Sequence, residues 1–169
     1  MSWRNKFMMI FFTAAFTVTA ADAENFSSLN QKGLDELYAG HPARAAEFFL
    51  TAIAADPKQK HYYNNLGAAY MRMGEYLKAE EQFKISLQFD SNYARALSNM
   101  SVTLFHLGRY RESYNYYVLT RKADREYSER RFEKKRVSSV IRKLSDEKPD
   151  NEELKKIMKY MESDAEGVE

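Results

Sequence analysis

The side chains in this chain that could do chemistry are few and scattered. There are three histidines, His41, His61 and His106, and no cysteine. A metal site needs two or three ligands converging with defined geometry. His61 and His106 fall in neighbouring stretches with no Asp or Glu assigned beside them. The pair Glu80-Glu81 reads as the solvated face of a helix, and the eight methionines form no metal-binding box. No glycine-rich phosphate loop, G-x-S-x-G elbow or H-E-x-x-H stretch occurs. The lack of cysteine also removes disulfides, thiolate metal sites and cysteine nucleophiles. The expectation is a chain that is not an enzyme and needs no metal and no cofactor. What remains is recognition chemistry. An asparagine amide can both donate to and accept from a peptide backbone, and the guanidinium of Arg72 or Arg95 can hold a carboxylate in bidentate fashion.

The elements that would position such groups announce themselves by period. Gly40, Gly74 and Gly108 stand thirty-four residues apart, and the blocks 26–59, 60–93 and 94–127 overlay in one register. Asp56, Asp90 and Asp124 share a column, as do Phe49, Phe83 and Tyr117, then Ala45, Ala79 and Ser113, then Leu29, Tyr63 and Leu97. A period in the thirties means a stacked array in which no unit buries its apolar face alone. Gly74 follows a helical stretch at a point where the chain needs positive φ. Pro57 pushes Asp56 out of the α region and ends a helix. In the third block Ala94, Leu97, Met100, Ser101, Leu104 and Phe105 recur at three and four residues, the stripe of an amphipathic helix.

These residues resemble the tetratricopeptide repeat, a thirty-four-residue helix–turn–helix unit. Leu66-Gly67, Tyr70, Gly74, Tyr76, Ala79 and Phe83 match its pattern best. The first block carries Gly33, Ala45, Phe49, Ala52 and Asp56-Pro57 but has Glu36 at the tyrosine position. The third has Ser101 for the small residue, Leu104 for the tyrosine and Arg125 for the closing proline. The resemblance implies an all-α, right-handed α-solenoid of three helix–turn–helix repeats. It also implies that the first helices line a concave groove that takes a protein or peptide partner. Carried over column by column, the groove residues are Asn30, Leu34 and Tyr38, then His61, Asn64, Asn65, Ala68, Met71 and Arg72, then Arg95, Ser98, Asn99, Val102, Phe105 and His106. Members that grip the C-terminal carboxylate of chaperone tails use a set of Lys, Asn and Arg residues. Asn65 and Arg95 fit that set, whereas Leu34 and Asn99 stand where an Asn and a basic residue belong, so chaperone-tail binding is not expected. For Asn64, Asn65, Ser98 and Asn99, hydrogen bonding between helices is an equal alternative to ligand contact.

Ahead of the repeats, residues 1–23 follow the grammar of a secretory signal peptide: Arg4 and Lys6, an apolar stretch from Phe7 to Val18, then Ala21-Asp22-Ala23. Cleavage is expected between Ala23 and Glu24, giving a periplasmic or secreted chain. The alternative is an uncleaved N-terminal anchor in the inner membrane, facing the periplasm. Net charge is +2 over the whole chain, which argues against a nucleic-acid binder. Its distribution is uneven. Residues 24–120 are neutral, residues 121–143 hold ten basic against four acidic side chains, and residues 144–169 hold four basic against nine acidic. The basic segment is either a surface for anionic lipid or an acidic partner, or it is neutralised by the adjacent acidic tail, and the second is the favoured expectation.

Val137, Val140, Ile141 and Leu144 form one helical stripe and Leu154, Ile157, Met158 and Met161 another. Asp150 and Glu153 stand at capping-box spacing before the second. A C-terminal capping helical hairpin over 128–163 is therefore expected, closing the exposed end of the stack, with a disordered tail at 164–169. With no Gly or Pro from Arg109 to Lys148, the third block's second helix could end near Asp124 or run past it as one rod. Among the twelve tyrosines, Tyr70, Tyr76, Tyr110 and Tyr117 are expected in the core, and Tyr62, Tyr93, Tyr114 and Tyr116 on a convex contact patch. The function expected is a non-catalytic protein–protein interaction scaffold of the bacterial cell envelope. The alternative is a membrane-tethered structural subunit, held by an uncleaved N-terminus and a basic C-terminal helix. An exposed repeat end also offers a surface for self-association.

Overall fold

The computed structural model describes residues 20–166. Among them the chain forms α1 (Ala20–Tyr38), α2 (Pro42–Ala55), α3 (Lys60–Arg72), α4 (Tyr76–Phe89), α5 (Ala94–His106), α6 (Tyr110–Ala123), α7 (Arg125–Arg131), α8 (Lys134–Glu147) and α9 (Glu152–Glu166). The described residues contain no strand. The expected leader lies outside the described residues as far as residue 19, and α1 runs without a break through Ala23 and Glu24.

Three hairpins, α1–α2, α3–α4 and α5–α6, stack into an α-solenoid. Each first helix ends in the same way. Gly40, Gly74 and Gly108 have φ of 85°, 79° and 75°. The Gly74 N–H donates to the Met71 carbonyl at 3.1 Å and the Glu75 N–H to the Tyr70 carbonyl at 2.9 Å, the paired bonds of a Schellman motif. The same two bonds recur at Gly40-His41 and at Gly108-Arg109. Each second helix ends at the aspartate column, where Asp56, Asp90 and Asp124 are extended and their side chains turn back onto the next segment. Asp56 Oδ1 accepts from Lys58 N–H, Asp90 Oδ1 from Asn92 N–H, and Asp124 Oδ1 from Tyr127 N–H.

Inside a hairpin the helices close on a small residue. Phe49 and Phe83 are fully buried. Their rings lie against Gly33 and Gly67 so closely that a Cβ there would stand 2.5 Å and 2.6 Å from the nearest ring carbon. The third hairpin solves the contact differently. Ser101 Oγ donates to the Ser113 carbonyl at 2.9 Å, and Ser113 Oγ donates to the Ser101 carbonyl at 2.8 Å. Two buried hydroxyls thus take over where the other hairpins use glycine and alanine. Between hairpins, Glu80 on α4 is buried yet paired: Arg109 donates to both its carboxylate oxygens at 2.8–2.9 Å, and Lys84 lies 2.6 Å away.

The second helix of the third block does not continue as a rod. It stops at Ala123, and Asp124 at once ends α6 and caps α7. At the C-terminus α8 and α9 pair, and α9 packs on α6, burying Ile141, Leu154 and Ile157 with Tyr110. Two expectations need correction. The cap of α9 is Asn151, whose Oδ1 accepts from the N–H groups of Glu153 and Leu154, not Asp150. Helix α9 extends to Glu166, and residues 167–169 of the expected tail lie outside the described residues. Tyr62, assigned to a convex patch, is buried at 4% exposure, in the column of fully buried Ala96. Tyr110 and Tyr117 are buried as expected, whereas Tyr70 and Tyr76 are half-buried.

Candidate partner-binding groove

Which wall of the stack is concave follows from which helices touch. The first helices pack side by side, α1 on α3, α3 on α5 and α5 on α7, whereas the second helices have no comparable contact with one another. In a curved array the elements closest together lie on the inner radius. The first helices therefore form the inner wall, and the expected site columns all lie on them.

The asparagines on this wall are engaged with each other. Asn99 Nδ2 donates to Asn64 Oδ1 at 3.1 Å, Asn64 Nδ2 to Asn65 Oδ1 at 3.2 Å, and Asn65 Nδ2 to Asn30 Oδ1 at 2.9 Å. This amide chain crosses α5, α3 and α1 in turn. Asn64 is buried at 4% exposure, so its amide belongs to the joint between helices and not to a ligand surface. Asn30, Asn65 and Asn99 are half-buried and retain unused amide donor or acceptor capacity. Ser98 is wholly buried, with its Oγ donating to the Arg95 carbonyl and paired to the Tyr127 hydroxyl at 3.0 Å. For Asn64 and Ser98, the helix–helix alternative is the one realised.

The cations stand differently. Arg72 and Arg95 are exposed, and among the described residues neither has a carboxylate partner. Arg72 donates only a long bond, 3.4 Å, to the Leu37 carbonyl of the preceding first helix. By contrast, Arg44, Arg109, Arg111, Arg125 and Arg130 each face a glutamate. Tyr38, Arg72 and His106 share one repeat column at the C-terminal ends of the first helices, and all three are exposed. His106 stacks on Tyr76 at 4.5 Å between centroids and 7° between planes. Met71 and Phe105 are half-buried beneath this row. His61 sits at the start of α3, edge-on to Tyr62. Burial pulls its pKa below the ordinary imidazole value, opposed by Asp56 and helped by Lys60.

Residues 48–81, from within α2 through α3 and into α4, match the tetratricopeptide-repeat family model. The matched stretch has the length of one tetratricopeptide repeat. No curated protein matches the sequence. Among solved structures, the crystal structure of MamA is similar at a TM-score of 0.64 and 19% identity, over 86% of this chain and 81% of that one. The first such domain of Spaghetti (RPAP3), solved with the HSP90 peptide SRMEEVD, gives 0.60 at 17% identity over 86% and 97%. The second domain of human RPAP3, solved by NMR with the HSP70 peptide SGPTIEEVD, gives 0.58 at 17% identity over 83% and 97%. At these identities the likeness is one of fold.

Among the described residues, the side chains of the basic segment pair within the segment as well as with the tail. Among the described residues one ion pair, Lys143–Glu147 at 3.8 Å, joins it to the acidic tail. Arg125 and Arg130 instead pair with Glu129 and Glu126 of the same segment, and the tail's Glu153 pairs with Arg111 of α6.

Proposed function

We propose that this tetratricopeptide-repeat protein is a non-catalytic docking scaffold of the bacterial cell envelope, taking an extended or helical segment of a partner protein along its inner wall. The observation that carries the reading is the pair of exposed guanidiniums, Arg72 and Arg95, which have no carboxylate partner among the described residues and share the wall with half-buried amides. A partner carboxylate and backbone would satisfy both kinds of group. The peptide complexes of the RPAP3 domains support the mode of binding. They do not supply the partner, because Leu34 and Asn99 replace the residues that complete a chaperone-tail clamp. Capture of the partner from native extract tests the reading. The double change Asn65→Ala/Arg95→Ala should abolish it, while intact capture would overturn the groove assignment.

The envelope location rests on the leader grammar of residues 1–23, and N-terminal sequencing of the protein from cells decides it. A start at Glu24 supports a soluble exported scaffold. An intact Met1 in the membrane fraction favours the tethered subunit. Among the described residues no helix is long and apolar enough to cross a membrane, and the tethered reading places its anchor in the leader, outside those residues.

A further inference from the structure

The stack ends on a half-built repeat. Helix α7 enters the slot on α5 and α6 that a fourth unit's first helix would fill, touching both, with Tyr127 reaching Ser98. It has seven residues where α3 and α5 have thirteen. Phe132 then turns extended and packs edge-on against Tyr117 at 5.5 Å, closing the covered half. Helix α8 pairs with α9, which packs on α6, and reaches the third hairpin through Ile141, buried with Tyr110. A cleft of about 640 Å³ is left between the third hairpin and α8.

The cleft has an apolar floor and a positive rim. Val102, Phe105 and Tyr110 line one wall and Val137, Val140 and Ile141 the other, with Val140 still 40% exposed. Arg131 and Arg136 stand at the edge, both exposed and without a carboxylate partner among the described residues. Arg131 rests over the Phe132 ring. Glu133 is the one acidic side chain in the lining. The charge at the rim calls for acid at the flank.

We propose that this cleft is a second docking site, which accepts an amphipathic α-helix of a partner protein with apolar residues at i, i+3, i+4 and i+7 and glutamate or aspartate along its edges. The incoming helix completes the fourth repeat in trans, its apolar face replacing the absent turns and its carboxylates meeting Arg131 and Arg136. This extends the docking reading to a separate surface and does not use Arg72 or Arg95.

The probe is a fluorescein-labelled, end-capped helical peptide with leucine at positions 4, 7, 8 and 11 and glutamate and alanine elsewhere, titrated against the full chain by anisotropy. Saturable binding is expected, weakened by salt. Binding should be at least about tenfold weaker, roughly 1.4 kcal/mol, in Arg131→Glu/Arg136→Glu and in Val140→Asp. Asn65→Ala/Arg95→Ala should bind as the parent does, which separates this site from the inner wall. All three variants change residues that are exposed or half-buried, and unaltered helical circular dichroism verifies their fold. The proposal is overturned by any of four results: no saturable binding, equal binding of a lysine-for-glutamate peptide, loss of binding only in the Asn65/Arg95 variant, or affinity for phosphatidylglycerol vesicles in place of the peptide.

Discussion

A methyl group added at Gly67 would meet Phe83 Cε1 at 2.6 Å, and Phe83, fully buried, has nowhere to go. Gly67→Ala therefore sets overpacking of about 1–3 kcal/mol against a helix-propensity gain of ~0.5–1 kcal/mol. The expected result is a lower midpoint in chemical denaturation. The same logic explains why Ser101 is tolerated in the third hairpin: its hydroxyl and that of Ser113 satisfy each other's helix carbonyls. At Glu80 the deciding force is charge. Burial alone would raise its pKa, but the hydrogen bonds from Lys84 and Arg109 outweigh it and hold the carboxyl below its ordinary value of 4.5. A carboxylate depressed on folding contributes stability that is present above pH 4.5 and lost as pH falls through the folded value. Arg109→Met should cost about 1.5–3 kcal/mol at neutral pH, and the cost should shrink as pH falls below 4.5 and Glu80 takes up its proton. A loss independent of pH would show that packing of the arginine stem, and not its charge, is what matters.

Elements were legible where periodicity governs and obscure where a single side chain does. The thirty-four-residue register located the helix ends at Gly40, Gly74 and Gly108 because positive φ is demanded there. The break at Asp124 lacked the usual marks, with Arg125 replacing proline and no glycine near, yet the aspartate column held the signal: Asp56 and Asp90 end their helices by the same extended turn. The cap of α9 fell one residue from its expected place because Asp150 and Asn151 both suit the position, and only the backbone path selects Asn151. Asn151→Ala should remove two hydrogen bonds from the start of α9 and cost about 0.5–2 kcal/mol. Faster amide exchange should follow at Leu154 and Ile157, with the hairpins unaffected. Of the site, the columns were readable but not their roles. Nothing local distinguishes Asn64, locked between helices, from Arg72, left open beside it, since the difference arises from the partner helix thirty-five residues away.

At the scale of the molecule, each hairpin shares its apolar face with the next, so damage to one should spread. Phe83 packs with Ala79 of its own helix and with Met100 and Leu104 of the next hairpin. Phe83→Ala should cost about 3–5 kcal/mol and lower a single thermal transition. A melt that split into two would show that the hairpins are independent. The curvature that sets the first helices together also gathers Tyr38, Arg72, Arg95 and His106 on one wall and leaves Leu77 on the outer helix α4, 72% exposed. The most direct test of docking along that wall places the photo-crosslinker p-benzoylphenylalanine at position 72, 95 or 77 in the native host. Adducts to a partner protein from positions 72 and 95 but not from 77 are the predicted result. Adducts from 77 alone, or from none of the three, would contradict the account.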